Sequence, residues 1–434
     1  MPEEPLALSA PKGTNDVLPP FSWEWQGLTR AALDTFALAG YAPIETPLFE
    51  HTEVFVRGAG AGSEVVTKQM YTFEDKGGRS LTLRPEGTAP VVRAVLEHNL
   101  ARGALPVKVA YAGAMFRQER PQKGRYRQFF QVGVEALGID SPVLDAEVVE
   151  LGWRFIASML PPEVVPTLLL NTIGHPGPEC RARYIDELAS FLRGRIDDLA
   201  PGDRERAATN PLRMFDSKEA TTGAVMAAAP LVTDHVCDAC RAHFDEVRAL
   251  LDSVGVPYTV RPQLVRGLDY YTRTAFEYIW EGLGAQNTLG GGGRYDGLAE
   301  SLGGDALPGI GFALGVDRIL LAAGRDGSTA GTKVDVYVAV FGPEAAPTGL
   351  RIATDLRREG LGVDLDHGGR SLKGQMKDAV RSGARWVAIL GEDELAAGSV
   401  ALKDLTSGEQ SSVPLDGLAA TLRSGTMPAG AVLR

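Results

Sequence analysis

The 434 residues, 44% hydrophobic and 23% charged, exclude a disordered or fibrous chain and leave room for two or three domains at roughly 150 residues each. No apolar run approaches the roughly 18 residues of a membrane span, the opening MPEEPLALSAPKG lacks the apolar stretch of a secretory signal, and three cysteines are too few to staple such a chain, so a cytoplasmic protein with no membrane partner is expected. A formal net charge of -11 disfavours polyanions through the average field, so nucleic acid would have to find the local basic stretches 117–127 and 370–385.

In chain order, Trp25, Leu28, Ala32 and Phe36 recur at helical spacing, with Ser22 as N-cap and Gly40 as the stop. The following YAPIETPLFE carries Pro43 and Pro47, which suit an edge strand or a subunit contact. Between Lys108 and Gly138, two strand-like runs flank RQERPQKGRYR, which predicts an antiparallel hairpin with a long basic loop. Residues 172–258 take on helical patterning and are expected to form an insertion, after which LVRGLDYYTRTAFEYIW, LGGGGRYDGL and GIGFALGVDRILL resume the mixed strand and helix patterning that precedes it. The first domain is therefore expected over 1–325, a small-residue linker over 326–331, and a second domain over 332–434. In that second domain apolar β-branched runs alternate with helical patterns, which predicts a separate α/β unit with a parallel or mixed sheet.

Chemistry concentrates in a few places. If QFFQVGVEAL is a strand, Phe129, Gln131, Gly133 and Glu135 share one face, a composition that suits a ligand floor or a solvated sheet face. Arg117 and Glu119 share a face in the same way. Arg84, Glu86 and Thr88 have the same spacing, but Pro85 and Gly87 fit a turn equally well. Arg266, Asp269, Tyr270 and Tyr271 stand in an apolar, strand-like frame and need partners, whether from a ligand or from a structural hydrogen-bond network. Arg318 falls in the first turn of a helix. Neither GGGGRYDGL nor RGAGAGS has a P-loop or dinucleotide register. His235, Cys237, Cys240 and His243 invite a zinc reading, but no second ligand pair is spaced to close a tetrahedron, so no protein-held metal is expected. His51, His98, His175 and His367 stand alone. Lys373, Lys377 and Arg381 form a stripe on one helical face, opposite Leu372, Met376 and Ala379.

Together, PKGTNDVLPP, LRPEGTA, FRQERPQKGRYRQFFQ, LVRGLDYYTRTAFE, GGGGRYDGL and GFALGVDRILL make the chain similar to the histidyl-tRNA synthetases, class II aminoacyl-tRNA synthetases, over nearly its whole length. The resemblance implies an α+β fold: an antiparallel-sheet catalytic domain with a helical insertion, then an α/β anticodon-binding domain. It implies a homodimer whose contact includes the region around Pro47, ATP and Mg²⁺ as cofactors, and L-histidine and tRNA(His) as partners. By the same resemblance, Glu86, Gly87, Thr88, Arg117, Gln131, Glu135, Arg266, Tyr270 and Tyr271 would contact histidine. Arg117, Glu119, Phe129 and Arg318 would contact ATP, at the α-phosphate, nucleotide, adenine ring and γ-phosphate respectively. Arg117 and Arg266 would be the catalytic cations, and Arg120, Gln122 and Arg125 would meet the tRNA acceptor end. A catalytically silent regulatory paralogue, partnering the first enzyme of histidine biosynthesis, is the alternative. It usually lacks the C-terminal domain and erodes the histidine-specific segments, both intact here.

Overall fold

A computed structural model describes residues 8–60, 62–327 and 334–426. The chain divides into two compact units, Met1–Gly327 and Ser328–Arg434. From residue 328 onward, the expected linker lies outside the described residues.

The first unit is organised by strands β1 (Ala42–Pro43), β2 (Phe49–His51), β3 (Tyr71–Glu74), β4 (Ser80–Leu83), β5 (Val107–Phe116), β6 (Gln128–Leu137), β7 (Thr167–Thr172), β8 (Thr259–Val260), β9 (Thr272–Ile279), β10 (Thr288–Arg294) and β11 (Gly309–Gly315). Eight of them form one sheet in the order β1-β5-β6-β11-β10-β9-β7-β8, while β2-β4-β3 form a small separate sheet. The large sheet is antiparallel except at its ends, where β1 pairs with β5 and β7 with β8 in parallel. β5 and β6 form the long hairpin, paired from Val107↔Leu137 to Phe116↔Gln128.

Period-two alternation sorts the two faces of β6. Val132, Val134 and Ala136 are fully buried in the main apolar cluster, whereas Phe129, Gln131, Gly133 and Glu135 face the other way. Helices Phe21–Leu38, Pro142–Met159 and Val316–Ala322 cover the apolar face. Phe36 contacts both Phe155 and Phe312 edge to face at 5.5 Å, and truncating such a ring to alanine costs about 3–5 kcal/mol. The first helix starts one residue before the expected Ser22 cap. Pro20 is its N-cap, without a side-chain hydrogen bond, so Ser22 lies inside the first turn.

The stretch expected as an insertion is built from helices Arg181–Arg193, Arg204–Thr209, Ala220–Met226 and Asp238–Ser253 with short 3-10 turns. It has its own apolar cluster around Tyr184, Leu188 and Met214. Its last helix also sends Phe244, Val247 and Leu251 into the main core.

The second unit holds β12 (Val336–Val340), β13 (Val363–Leu365), β14 (Trp386–Leu390), β15 (Ser399–Asp404) and β16 (Gln410–Pro414) in the order β13-β12-β14-β15-β16. β12 is parallel to both neighbours, and β14-β15-β16 are antiparallel, which makes the sheet mixed. Ser371 caps helix Leu372–Ser382 by accepting from Gly374 N–H. That helix buries Gln375, whose amide donates to the Val340 and Arg370 carbonyls and accepts from Val340 N–H. Lys373 and Lys377 are exposed, whereas Arg381 is paired with Asp378 and Arg385 with Asp404, so the basic stripe is narrower than its sequence spacing implies.

Candidate active site

The polar face of β6 forms one wall of a cavity of about 590 Å³. Glu135 is its deepest acid. The Thr88 hydroxyl donates to it at 2.7 Å and the Tyr295 hydroxyl at 2.6 Å, with no cation among the described residues in its hydrogen-bond shell. Burial pushes its carboxyl up to about 8, against the pull of those hydroxyls. Across the strand pair stands Gly311, where a Cβ would lie 1.9 Å from Glu135 Oε2. At Gly133 a Cβ would meet the Tyr111 ring at 2.5 Å. At both glycines the bare backbone lets Tyr111 or Glu135 pack where a methyl group would otherwise stand.

Glu86 lies beside it, at the start of helix Thr88–Glu97. Gly87 caps that helix without a side chain, so the first backbone N–H groups need acceptors. Glu86 supplies them, accepting from Thr88 N–H at 2.6 Å and Ala89 N–H at 2.9 Å. Burial nevertheless raises its carboxyl above the usual range. The Tyr270 hydroxyl approaches it at 3.5 Å. Four residues before Glu135 on the same face of β6, Gln131 Oε1 is buried without a hydrogen-bond partner among the described residues. An unmet amide oxygen in a polar cavity is a place for a ligand donor.

Arg117 and Arg266 enter the same cavity from sequence-distant segments. Arg117 Nε donates to the Pro85 carbonyl at 2.9 Å, and its guanidinium lies 5.3 Å from the Phe129 ring. Burial lowers its affinity for its proton, and Arg266 adds repulsion while Glu86 opposes both. Arg266 is ion-paired with Glu277 and lies over the Tyr271 ring at 5.5 Å. Burial alone would depress it, but Glu277 and Tyr271 outweigh burial and hold it above ordinary arginine.

Arg318 also lines the cavity, but its position comes from two carbonyls rather than from a helix terminus: Nε donates to Gly124 at 2.8 Å and Nη1 to Thr288 at 2.7 Å. Glu119 and Arg125 pair with each other at the rim of the basic loop. The loop is pinned by Arg127, whose N–H donates to the Gly13 carbonyl at 2.7 Å. Arg120 and Gln122 project from it, exposed, and do not line the cavity.

Several expectations change. Arg84 does not share the cavity with Glu86 and Thr88. It is buried and donates to the Ala114 carbonyl and to the carbonyl and hydroxyl of Thr46. The turn at Pro85–Gly87, not a strand, separates them. The segment Arg266–Tyr271 is likewise a turn entering β9, not a strand. A strand would place Tyr270 and Tyr271 on opposite faces, whereas the turn lets both rings, 4.7 Å apart, line the cavity. His235, Cys237, Cys240 and His243 do not converge. His235 Nδ1 lies 3.2 Å from Glu187, and His243 Nε2 meets buried Asp145 at 2.8 Å. Sequence reasoning missed Tyr111, Tyr295 and Glu277. The signal available for Glu277 was a single acid inside the apolar run TAFEYIW.

Among the described residues no helix is long and apolar enough to cross a membrane. A family model described as histidyl-tRNA synthetase matches residues 13–319, and an anticodon binding domain model matches 335–425. The chain is 52% identical over 417 residues to a histidine--tRNA ligase of Rhodococcus erythropolis, covering 94% of this chain and 96% of the relative. It is 50% identical over 424 residues to that of Mycobacterium tuberculosis, covering 96% and 98%. Among solved structures, apo histidyl-tRNA synthetase of S. aureus superposes with TM-score 0.79 at 35% identity, over 96% of this chain and 100% of that one. A Bacillus halodurans protein described as an ATP phosphoribosyltransferase regulatory subunit/histidyl-tRNA synthetase shares the fold, with TM-score 0.64 at 23% identity, covering 89% of this chain and 99% of that one. A sheet that gathers two arginines, two buried acids and a tyrosine pair in one cavity, a second unit matching an anticodon binding domain, and half-identity to such ligases along almost the full length lead to one conclusion: the chain belongs to the histidyl-tRNA synthetase family of class II aminoacyl-tRNA synthetases.

Proposed function

We propose that this histidine--tRNA ligase divides its labour within the cavity as follows, with Glu86, Thr88, Gln131, Glu135, Tyr270 and Tyr271 holding histidine and Arg117 and Arg266 acting on ATP. A neutral imidazole offers one donor and one acceptor nitrogen. Glu135, which has hydroxyl donors but no cation, and the unmet oxygen of Gln131 supply acceptors for such a donor. An amino acid lacking it would leave the Gln131 oxygen desolvated and unpaired, which is how a polar pocket rejects apolar competitors.

In the first half-reaction a histidine carboxylate oxygen attacks the α-phosphorus of ATP. The new P–O bond forms as the bond to the bridging oxygen breaks, giving histidyl-adenylate and pyrophosphate, with no covalent enzyme intermediate. Charge grows on the phosphoryl oxygens, and Arg117 and Arg266, fixed by Pro85 and Glu277, are already in place to stabilise it. Phe129, under the Arg117 guanidinium, offers a face for adenine, and Arg318 a cation for the γ-phosphate.

The acids Glu119 and Glu277 line the same space. Mg²⁺ is commonly held by one or two carboxylates together with substrate phosphates, so these two fit it, and bound there it would neutralise phosphate charge. In the second half-reaction the terminal ribose hydroxyl of tRNA(His) attacks the adenylate carbonyl and AMP leaves. Arg120, Gln122 and Arg125 on the basic loop would meet the acceptor end, and the second unit, with exposed Lys373 and Lys377, would meet the anticodon arm. A homodimer is supported by exposed Leu38, Leu48, Phe49 and Phe73 around the β1–β4 region. The cytoplasm is its expected compartment.

The observation that carries this reading is the convergence of Arg117 and Arg266 beside Glu86 and Glu135 in one cavity. Pyrophosphate exchange into ATP, run with each of the twenty amino acids, tests it. Exchange should require histidine, and exchange driven equally by another amino acid would sink the assignment of the pocket.

A further inference from the structure

At the end of β7 the chain leaves the sheet at Thr172 and turns through Gly174 into the helical insertion. Four side chains meet there. Among the described residues, His175, Cys180, Cys237 and Cys240 bring one potential ligand atom each to within 4.8 Å of one another. Two come from the segment after β7, two from the start of helix Asp238–Ser253, and the pairs are 57 residues apart between Cys180 and Cys237.

We propose that His175, Cys180, Cys237 and Cys240 form a tetrahedral site for a structural zinc ion. The donor set is three sulfurs and one imidazole, a combination that selects zinc among the common divalent ions. Zinc–sulfur bonds near 2.3 Å and zinc–nitrogen bonds near 2.0 Å require ligand separations of roughly 3.5–3.8 Å around a tetrahedron. His175 Nδ1 lies 3.3 Å from Cys240 Sγ and 3.7 Å from Cys237 Sγ. The spacings Cys-x-x-Cys and His-x4-Cys match those of zinc-binding pairs.

The surroundings fit the role. His175 Nε2 lies 2.7 Å from Glu179 Oε1. A proton shared there sits on Nε2 and leaves the Nδ1 lone pair facing the sulfurs, the arrangement that supports a metal-bound histidine. The Cys237 N–H donates to Cys180 Sγ at 3.4 Å. Cys180 and Cys237 are the N-caps of helices Arg181–Arg193 and Asp238–Ser253, whose positive ends favour thiolates. Gly174 has φ +65°, and a Cβ there would stand 2.6 Å from Cys180 Sγ.

A zinc ion at this point fastens the insertion to the catalytic sheet. Arg273 on β9 exchanges backbone hydrogen bonds with the metal loop, donating to Gly174 at 2.9 Å and accepting from Ile173 at 2.7 Å. Arg181, next to Cys180, donates to the Tyr271 carbonyl.

The test is elemental analysis of the full chain, isolated from zinc-supplemented cells without chelator and dialysed. About one zinc per chain is expected, lost in Cys180→Ser and in Cys240→Ser. Less than half an equivalent in the wild type, or equal retention by both serine variants, would overturn the site. Should the serine variants fail to fold, cobalt decides. Metal-free wild type reloaded with Co²⁺ should show tetrahedral d–d bands with thiolate-to-cobalt charge transfer, and His175→Cys should keep one metal with stronger charge transfer. A cobalt spectrum without charge transfer, or a Cys237–Cys240 disulfide in protein isolated with zinc present, would equally refute it.

Discussion

Two acids in the first unit are shut away from water, and they differ in what surrounds them. Asp145 accepts from Arg294 Nη2 at 2.7 Å and Nε at 2.9 Å, from the Thr274 hydroxyl at 2.6 Å, and lies 2.8 Å from His243 Nε2. Burial would raise its carboxyl, but His243 and Arg294 hold it below the usual range. Glu135 has only hydroxyl donors, rises to about 8, and faces a cavity. The first cluster is complete without a ligand and serves the fold. The second, among the described residues, is short of a charged or N–H partner, and that deficit supports the binding role proposed for it.

The contrast can be broken from either side. Asp145→Ala takes from the buried Arg294 guanidinium its fully buried carboxylate, leaving it only Asp296 close by at 2.8 Å, and unpairs Thr274 and His243; it should cost about 3 kcal/mol, read as a lowered urea midpoint at unchanged slope. A loss below about 1 kcal/mol would mean that the cluster is not structural. Arg266→Ala should slow histidine-dependent pyrophosphate exchange by about 10²–10³-fold while histidine still binds by calorimetry; an unchanged exchange rate would remove its catalytic role.

Glu135→Gln sharpens the comparison by pH. Between 4.5 and about 8 the folded protein holds a proton on Glu135 that the unfolded chain has released. Wild-type stability therefore falls as pH rises through that window. The glutamine variant should show a flatter dependence in urea titrations across it, and an identical slope would place the titration elsewhere. Gln131→Ala, with the smallest effect, removes one neutral hydrogen bond worth about 1 kcal/mol. It should raise KM for histidine about fivefold at unchanged kcat and unchanged KM for ATP.

How much of this was legible in sequence depended on distance along the chain. The β6 face was readable because period two places Phe129, Gln131 and Glu135 together whatever surrounds the strand. The β5–β6 hairpin and the mixed C-terminal sheet followed from local patterning in the same way. The turn at Arg266–Tyr271 was not readable. Its two tyrosines and the run that follows them have strand propensity, which masked Gly267 and Asp269, and only the pocket tells which way two adjacent tyrosines point. Tyr111 and Tyr295 were hidden because each touches Glu135 or its neighbours across strands. The four-residue group at 235–243 raised a metal reading that its spacing did not support, and its two histidines lie apart, His235 beside Glu187 and His243 beside Asp145. His175, which stood alone in sequence, lies beside the two cysteines after the chain has passed through three helices.

Gly133 and Gly311 seat the Tyr111 ring and the Glu135 carboxylate directly against bare backbone. Evolution is thereby left little latitude at either position: even alanine, the smallest replacement, would bring a methyl carbon within 2.5 Å of Tyr111 or 1.9 Å of Glu135 Oε2 and push that side chain out of place.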